Sequence, residues 1–399
     1  MKKEVIKEAV RKYPTPFYLF DIDEARAEIA RMRAALPERA KICFSIKANP
    51  FLTGALGETA DFVEACSFGE LRIAERVGVP EEKIVLSGVN KGENELREAL
   101  IRHEDRMVYT AESLHHFAVI EKFAEETGKE IRVLPRLTDG SQFGMDRSEI
   151  EEILEGKHGK AAKITGIHFF SGTQKKNMQR TLGELDMIDQ CLSDWADKYG
   201  FIAEKLEFGS GMSIDYFTTD EKMRKKEGED LAALALKLQE MHYQGEVTLE
   251  FGRRIAATCG SYVTSVADVK KRMDADGRKH HFAIVDGGIH QVTWYGQMMG
   301  MKVPPVCCLE GQGELLDWSV FGSLCSMNDV LLRSVKFPQL NIGDHLVFGR
   351  CGAYSPTEGI LTFLSRDLPT ILTYTEKDGI SLARKKLPTD ELNTAGRYV

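Results

Sequence analysis

The sequence predicts an α/β protein in which an eight-stranded parallel (β/α)8 barrel is followed by a C-terminal antiparallel β-domain. Three observations lead to this prediction. Eight short apolar runs rich in β-branched residues recur through the first two thirds of the chain, segments with helical character separate them, and after about residue 260 strand-like runs follow one another with little helix. Strands alternating with helices form parallel βαβ units, and eight such units close into a barrel.

The barrel prediction depends on the order of these segments. Helical stretches such as GELRIAERVG, AESLHHFAVIEKFAEETG and GELDMIDQCLSDWADKYG end at glycine, a common helix terminator. A doubly wound open sheet is the alternative, but no glycine fingerprint follows the first strand, so we favour the barrel. The eight runs are ICFSIK, DFVEA, KIVLSG, MVYT, IRVLPRL, KITGIHFF, KLEFG and EVTLEFGR.

The sequence pattern of the last third of the chain predicts a separate β-domain. Its strand-like runs are separated by turn residues, and they are SYVTSVADVKKRM, HHFAIVDGGI, DVLLRSVKF, DHLVFGR, ILTFLS and TILTYTEKDGISLARKK. We therefore expect a barrel domain over residues 25–260 and a β-domain over 261–399. The early strand within residues 14–24 is expected to join the β-domain, so that the two domains interleave.

Composition excludes several classes of function. A chain of 399 residues is long for one core, and its net charge of −8 argues against a nucleic-acid-binding protein. No stretch approaches the roughly 18 uncharged residues that a membrane span requires, and the charged N-terminus lacks the apolar core of a secretory signal. The eight cysteines show no metal-binding spacing. We expect reduced thiols, no metal site and a cytoplasmic protein.

Charged and polar residues stand at the carboxyl ends of the predicted barrel strands, where barrel enzymes carry their working residues. A single lysine or histidine at a strand end is most often structural, but their joint placement at one face is hard to explain by chance. The residues concerned are Lys47, Glu64, Arg136, His168, Phe170, the glycine-rich segment after LEF, Glu250 and Arg253.

Three features of this face together describe pyridoxal phosphate as the cofactor. Lys47 can form a Schiff base. The backbone N–H groups of Gly209, Ser210 and Gly211 suit a phosphate, and the Arg253 guanidinium can pair with it. Glu250 would point inward, where a protonated ring nitrogen would offset the cost of burying its charge.

Over nearly its whole length the chain resembles the barrel-type (fold type III) pyridoxal-phosphate decarboxylases of amino acids, which include diaminopimelate, ornithine and arginine decarboxylases. The resemblance is carried, in order, by FSIKANP, VEACSFGEL, GIHFFSGTQ, FGSGMS, EFGRR, GSLCSMND and GAYS. It implies an alanine-racemase-like pair of domains, a barrel and a C-terminal β-domain.

The resemblance also implies roles for individual residues. Lys47 would carry the cofactor, Glu250 would contact the pyridine nitrogen, and Glu64 and Arg136 would support the lysine and the ring. The residues implied around the phosphate are Thr173, Gly209, Ser210, Gly211, Gly252, Arg253 and Tyr354. Relatives of this kind are dimers with shared sites, so Cys325, the implied proton donor, and Asp329, implied at the substrate, would be lent by the partner subunit.

Two departures from the family pattern bear on the substrate. Phe170 stands where the family has a ring-stacking histidine, with His168 two positions earlier on the same strand face. Ser326 follows Cys325 where relatives acting on diamino substrates carry an acid. The resemblance is nearest to a subgroup that acts on aminoacyl groups tethered to a carrier protein or on modified amino acids. The substrate, a small amino acid or an aminoacyl carrier protein, is therefore expected to lack a distal ammonium.

Two other functions remain open from the sequence. A racemase of the alanine type shares the barrel, the lysine and the β-domain, but it would place an arginine against the ring nitrogen, so Glu250 favours decarboxylation. A non-catalytic cofactor-binding homologue is the second alternative. Carriers of this barrel type lack the second domain, and decayed homologues lose the lysine or the phosphate ligands.

Overall fold

The protein is described by a computed structural model that covers residues 1–273, 277, 279–294 and 300–396. The chain divides into two compact units. One unit, the barrel unit, comprises Arg26–Ile214 and Glu221–Ile255. The other, the β-unit, comprises Met1–Ala25, Asp215–Asp220 and Ala256–Val399. Across the described residues, no helix combines the length and apolar character needed to cross a membrane.

Strands and helices make up both units, and each kind is numbered along the chain. The strands are β1 Phe17–Asp21, β2 Ala40–Ser45, β3 Phe62–Ala65, β4 Ile84–Leu86, β5 Val108–Ala111, β6 Arg132–Leu137, β7 Lys163–Ile164, β8 Gly166–Phe170, β9 Lys205–Gly209, β10 Glu246–Phe251, β11 Gly260–Met273, β12 Lys279–Val285, β13 Val306–Cys308, β14 Leu316–Phe321, β15 Val330–Phe337, β16 His345–Phe348, β17 Thr370–Thr375 and β18 Gly379–Arg384. The helices are α1 Lys3–Lys12, α2 Ile22–Ala35, α3 Thr53–Gly57, α4 Phe68–Arg76, α5 Glu93–His103, α6 Leu114–Thr127, α7 Arg147–Leu154, α8 Met178–Tyr199, α9 Asp220–Glu240, α10 Arg253–Ala256 and α11 Asp390–Asn393.

The barrel unit contains a closed parallel barrel. Its eight strands pair in the order β2, β3, β4, β5, β6, β8, β9 and β10, and β10 pairs back with β2. The predicted fold class is confirmed, and each of the eight apolar runs contains one barrel strand. The run KITGIHFF is divided into β7 and β8 next to Gly166, where a β-carbon would lie 1.6 Å from the Lys205 carbonyl oxygen.

The β-unit holds a mostly antiparallel sheet in the order β15, β14, β12, β11, β1, β17 and β18, with β16 also on β11 and β13 on β16. Two of its pairs, β1 with β17 and β12 with β14, are parallel, so the predicted antiparallel domain is a mixed sheet in which antiparallel pairs predominate. The run ILTFLS was predicted as a strand, and this was wrong. It contains a short 3₁₀ turn at Phe363–Ser365 and leaves Ile360 61% exposed.

Local sequence signals fix how the barrel helices begin and end. Ser67 accepts the backbone N–H of Glu70 at 3.2 Å, and the Glu70 carboxylate accepts the N–H of Cys66 at 2.7 Å, which is a reciprocal N-terminal cap for α4. Gly128 and Gly200 end α6 and α8 in the left-handed conformation. The cap of α4 fixes the backbone of Cys66 immediately after β3, at the strand end that carries Glu64.

Candidate active site

Lys47 lies one residue beyond the start of the turn that follows β2, and its amine enters the mouth of the barrel. Its Nζ atom is 2.8 Å from Oε2 of Glu64, whose carboxylate is buried while the lysine side chain is one third exposed. Ser87 donates a second hydrogen bond to Glu64, at 2.6 Å. Burial raises the pKa of Glu64, but the Lys47 ammonium and the hydrogen bonds outweigh it and lower that pKa below its usual range.

Cys66 is a neighbour of Lys47 that the sequence reasoning missed. Its Sγ atom lies 3.1 Å from Lys47 Nζ and 3.0 Å from Oε1 of Glu64. Burial and the Glu64 carboxylate raise the pKa of this thiol, so it stays protonated at neutral pH. The position of Cys66 in VEACSFGEL, two residues after Glu64 at a strand end, was the available clue.

A cavity of about 210 Å³ opens at this end of the barrel. It brings together six of the residues predicted from the sequence and five that were not singled out. The predicted ones are Lys47, Glu64, Arg136, His168, Phe170 and Glu250, and the additional side chains and backbone come from Cys66, Ser87, Val89 and Phe143, with Gly88.

His168 and Glu250 form a buried pair on β8 and β10. The Nε2 atom of His168 lies 2.8 Å from Oε1 of Glu250, and both side chains are 3% exposed. The contact has the distance of an ion pair but does not meet the geometry of a hydrogen bond. Burial lowers the pKa of His168, but the carboxylate raises it more, so the pKa stands above its usual value. Glu250 therefore faces both the His168 cation within the barrel and the cavity.

Arg136 is held at the end of β6 by a buried partner. Its Nη1 donates to both carboxylate oxygens of Glu112, at 2.9 and 3.1 Å, and its Nη2 donates to the Phe170 carbonyl at 3.0 Å. The guanidinium also lies over the Phe143 ring, 5.2 Å from its centroid. Arg136 thus fixes the backbone of Phe170, while the Lys47 amine lies 5.5 Å from the centroid of the Phe170 ring.

The glycines of the predicted phosphate cradle are needed for close packing. A β-carbon on Gly209 would lie 2.0 Å from Cδ2 of Phe170, and one on Gly252 would lie 2.9 Å from Cβ of Ala48. Gly211 has a φ of +63°, and its β-carbon would lie 2.3 Å from the Gly172 carbonyl oxygen. Side chains at these positions would therefore collide with atoms of the barrel unit itself.

The other residues predicted around the phosphate differ in burial. Ser210 is buried, and its carbonyl accepts the Thr181 hydroxyl at 3.2 Å. Thr173 is exposed in the loop after β8. Arg253 is buried at the start of α10. In the β-unit, Tyr354 has a φ of +67° in a turn where its carbonyl accepts the N–H groups of Thr357 and Glu358, both at 2.9 Å.

The helix that carries Arg253 is anchored by a buried charge network. Arg254 Nη1 lies 2.7 Å from Oε1 of Glu28 and 2.7 Å from Oε1 of Glu227. Arg224 also contacts Glu28, at 2.6 Å. These pairs join α10 to α2 and α9 within the barrel unit. Arg254 therefore holds in place the helix that carries Arg253.

The loop with Cys325 belongs to the β-unit. Cys325 and Ser326 are exposed, and Met327 is 91% exposed. Asp329 is buried, and its two carboxylate oxygens accept the backbone N–H groups of Ile289 and Leu324, each at 2.8 Å. The described contacts of the Asp329 carboxylate thus hold the loop that presents Cys325, and its contact with a substrate stays a prediction.

The residues of the barrel mouth fit pyridoxal phosphate. A partly exposed amine and a buried carboxylate line the same cavity, and the glycines Gly209 and Gly211 stand at and just after the end of the barrel strand β9. An amine can bond the cofactor's carbonyl carbon, a carboxylate can hold its ring nitrogen, and glycine N–H groups can donate hydrogen bonds to its phosphate. The donor set therefore matches each polar end of the cofactor.

Comparison with known proteins agrees with this chemistry. Residues 22–257 match the family described as pyridoxal-dependent decarboxylase, pyridoxal binding domain. The chain is 28% identical to the L-glutamyl-[BtrI acyl-carrier protein] decarboxylase of Niallia circulans, over 96% of this chain and 94% of that one. It is 27% identical to the diaminopimelate decarboxylase of Aquifex aeolicus, over 88% and 84% of the two chains. Among solved structures, a diaminopimelate decarboxylase of M. jannaschii in complex with L-lysine superposes with a TM-score of 0.82 at 20% identity, covering 95% of this chain and 91% of that one.

The chain belongs to the pyridoxal-dependent decarboxylases of fold type III. It is an enzyme, a carboxy-lyase acting on an amino-acid group, and its cofactor is pyridoxal phosphate. The predictions of family, reaction class and cofactor are confirmed. The comparisons do not favour the racemase that the sequence left open.

Proposed function

We propose that this enzyme removes the α-carboxylate from an aminoacyl group whose distal end carries no ammonium and which a carrier protein delivers. Two observations support the proposal. Ser326, a neutral residue, occupies the exposed position after Cys325, and a relative matched over 96% of this chain is named for a glutamyl group on an acyl-carrier protein. Ser326 is the observation on which the proposed substrate class depends, because a neutral hydroxyl cannot match a distal ammonium by charge.

We assign the following work to the chain's own residues. Lys47 binds the cofactor's carbonyl carbon, and Glu64 keeps that amine in position through its 2.8 Å contact. Glu250, paired with His168, holds a proton at the ring nitrogen. When bound, pyridoxal phosphate supplies an electron sink for the pair of electrons left by departing carbon dioxide.

Phe170 replaces the histidine expected by resemblance and covers the ring with an apolar face. Its backbone is fixed by Arg136 and its side chain packs against Gly209. A phenylalanine can neither titrate nor donate a hydrogen bond. Phe170 therefore excludes water from one face of the ring, and proton transfer falls to Lys47 and Cys325.

We propose that the active enzyme is a homodimer in which Cys325 returns a proton to the substrate's α-carbon in the partner's site. The support is the loop itself, because Cys325 to Asn328 are all exposed while Asp329 anchors their backbone. An exposed loop with a fixed base is suited to enter a neighbouring subunit. The eight cysteines, all among the described residues, form no disulfide, in keeping with a cytoplasmic enzyme.

The proposal is tested with purified protein loaded with pyridoxal phosphate and reduced with borohydride. We expect peptide mapping to find the cofactor on Lys47, and carbon dioxide to be released from glutamyl carrier protein far faster than from free lysine, ornithine or diaminopimelate. Lys91 is the matched control, because this buried lysine donates to the Gly88 carbonyl beside the cavity and burial lowers its pKa to about 8. Trapping at Lys91, or rapid turnover of a free diamino acid, would contradict the proposal.

A further inference from the structure

Glu207 is a buried carboxyl group that the chemistry described above does not use. It lies on β9 with no exposed surface, and its register neighbours are His168 on β8 and Thr248 on β10. Among the described residues, neither of its carboxylate oxygens has a hydrogen-bond partner. A charged carboxylate in such a place would be costly, since it has neither water nor hydrogen bonds to stabilise it.

The charged and titratable groups around Glu207 do not neutralise it. His168 on β8 lies against Glu250 on β10, at 2.8 Å. The Lys205 amine, two residues earlier on β9, lies 3.5 Å from the centroid of the Phe62 ring and 3.6 Å from Glu246. The remaining groups that face Glu207 are the Glu64 carboxylate on β3 and the Cys43 thiol on β2. The nearby cations are thus engaged with other partners.

We propose that Glu207 is a positioning residue which remains a neutral carboxylic acid and thereby leaves the His168 imidazolium to Glu250. The inference rests on the proposed role of Glu250 at the ring nitrogen and deepens it. With Glu207 neutral, one cation faces one anion in the barrel core, and Glu250 keeps its orientation towards the cavity. If Glu207 lost its proton, two carboxylates would compete for one imidazolium.

Electrostatics gives the pH range in which this arrangement changes. Burial, and then the neighbouring Glu250 carboxylate, raise the pKa of Glu207 to about 8. The group therefore keeps its proton in the folded protein between its ordinary value of 4.5 and about 8, whereas the unfolded chain loses it. Because the folded state binds more protons in this window, the stability of the fold falls as the pH rises through it.

The first test uses the cofactor-free protein, so it does not depend on the proposed function. Unfolding by denaturant is measured from pH 5 to pH 9 for the wild type and for Glu207→Gln, which resembles the neutral acid in shape. We expect the unfolding constant of the wild type to rise, relative to that of Glu207→Gln, by up to about tenfold per pH unit below pH 8. Glu126→Gln, which removes an exposed acid of the same unit that pairs with Arg97, is the matched control and should keep the wild-type dependence. An identical pH dependence in Glu207→Gln and the wild type would overturn the proposal.

The second test measures cofactor affinity, and compares pyridoxal phosphate with its analogue that has carbon in place of the ring nitrogen. The preference is the ratio of the two affinities. In the wild type, we expect this ratio to fall about tenfold per pH unit above pH 8. In Glu207→Gln, we expect the ratio to stay the same over this range. Loss of the preference at pH 7 in Glu207→Gln would show that a carboxylate is required, and would overturn the proposal. Glu207→Met, which is neutral and lacks hydrogen-bonding groups, replaces Glu207→Gln if that variant does not fold. Failure of trapping at Lys47 would instead refute the proposed function.

Discussion

The ring of Phe170 lies against Gly209, its direct neighbour in the register of β8 and β9, and a β-carbon on Gly209 would come within 2.0 Å of the ring atom Cδ2. The aromatic residue that replaces the family's histidine thus depends on a glycine on the next strand. Gly209 is required for side-chain packing as well as for any phosphate contact of its backbone.

Gly209→Ala is therefore expected to displace the Phe170 ring and weaken cofactor binding. Overpacking of this kind costs about 1–3 kcal/mol, which corresponds to roughly a five- to 150-fold loss of affinity. The affinity is measured by titrating the cofactor-free protein and following its absorbance. Gly183→Ala in α8 is the control, since the described residues leave open space around the added carbon there. Equal affinities for both variants would show that the ring adapts at little cost.

The Lys47–Glu64 pair should appear in the pH dependence of stability. The pKa of Glu64 is lowered in the folded protein, so the stabilisation is present above the ordinary value of 4.5 and is lost as the pH falls below it. Glu64→Gln should lose about 1–3 kcal/mol at pH 7, less than for a fully buried pair because Lys47 is one third exposed. The difference from the wild type should shrink towards pH 3, as measured by denaturant unfolding without cofactor.

Glu126→Gln is the control for this experiment. Glu126 pairs with Arg97 on the surface of the same unit, and both side chains are 40% exposed. Exposed pairs contribute little because water and salt screen them, so this variant should stay close to the wild type throughout. A loss in Glu64→Gln that is independent of pH would refute the electrostatic explanation.

Substrate preference should respond to the charge at position 326. An acid there would pair with a distal ammonium, and removing one partner of such a desolvated pair costs roughly 2–5 kcal/mol, whereas a neutral hydrogen bond is worth about 0.5–1.5 kcal/mol. We expect Ser326→Asp to raise kcat/KM for free diamino acids and to lower it for glutamyl substrates. Ser323→Asp, in the same segment, is the control. Efficient turnover of lysine by the unmodified enzyme would mean that another residue supplies the charge.

Shared active sites would allow two inactive variants to rescue each other. Lys47→Ala and Cys325→Ala are each expected to be inactive. After subunit exchange about half of the dimers are hybrids, and each hybrid has one site with both lesions and one with neither. Carbon dioxide release should therefore recover to roughly a quarter of the wild-type rate. No recovery despite exchange proven by mass would place the complete site within one chain.

Much of the fold and part of the site could be predicted because strand ends in a parallel barrel converge. Lys47, Glu64, Arg136 and Glu250 are recognisable as charged residues that follow apolar runs, and the structure gathers them around one cavity. Their partners could not be predicted. Glu112 binds Arg136 from another strand end, and nothing in the local sequence specifies that pairing.

Apolar runs were less reliable where no neighbouring strand covers them. ILTFLS has the composition of a strand, yet Leu364 adopts a φ of +58° and remains 45% exposed. The short strands β13 and β14 were missed for the opposite reason. β13 has only three residues and Asp317 interrupts the apolar character of β14, yet pairing with β16 and with β12 and β15 stabilises them. Tertiary pairing decided these segments.

Strand β1 has a consequence for biosynthesis. It is synthesised before the barrel strands, yet its two neighbours in the sheet, β11 and β17, begin at Gly260 and Thr370. The barrel strands are synthesised between β1 and β11 and can pair with each other as they emerge. The apolar segment Phe17–Phe20, buried in the folded protein, must therefore stay unpaired until the barrel strands have been synthesised, which makes it the natural site for a nascent-chain chaperone to hold.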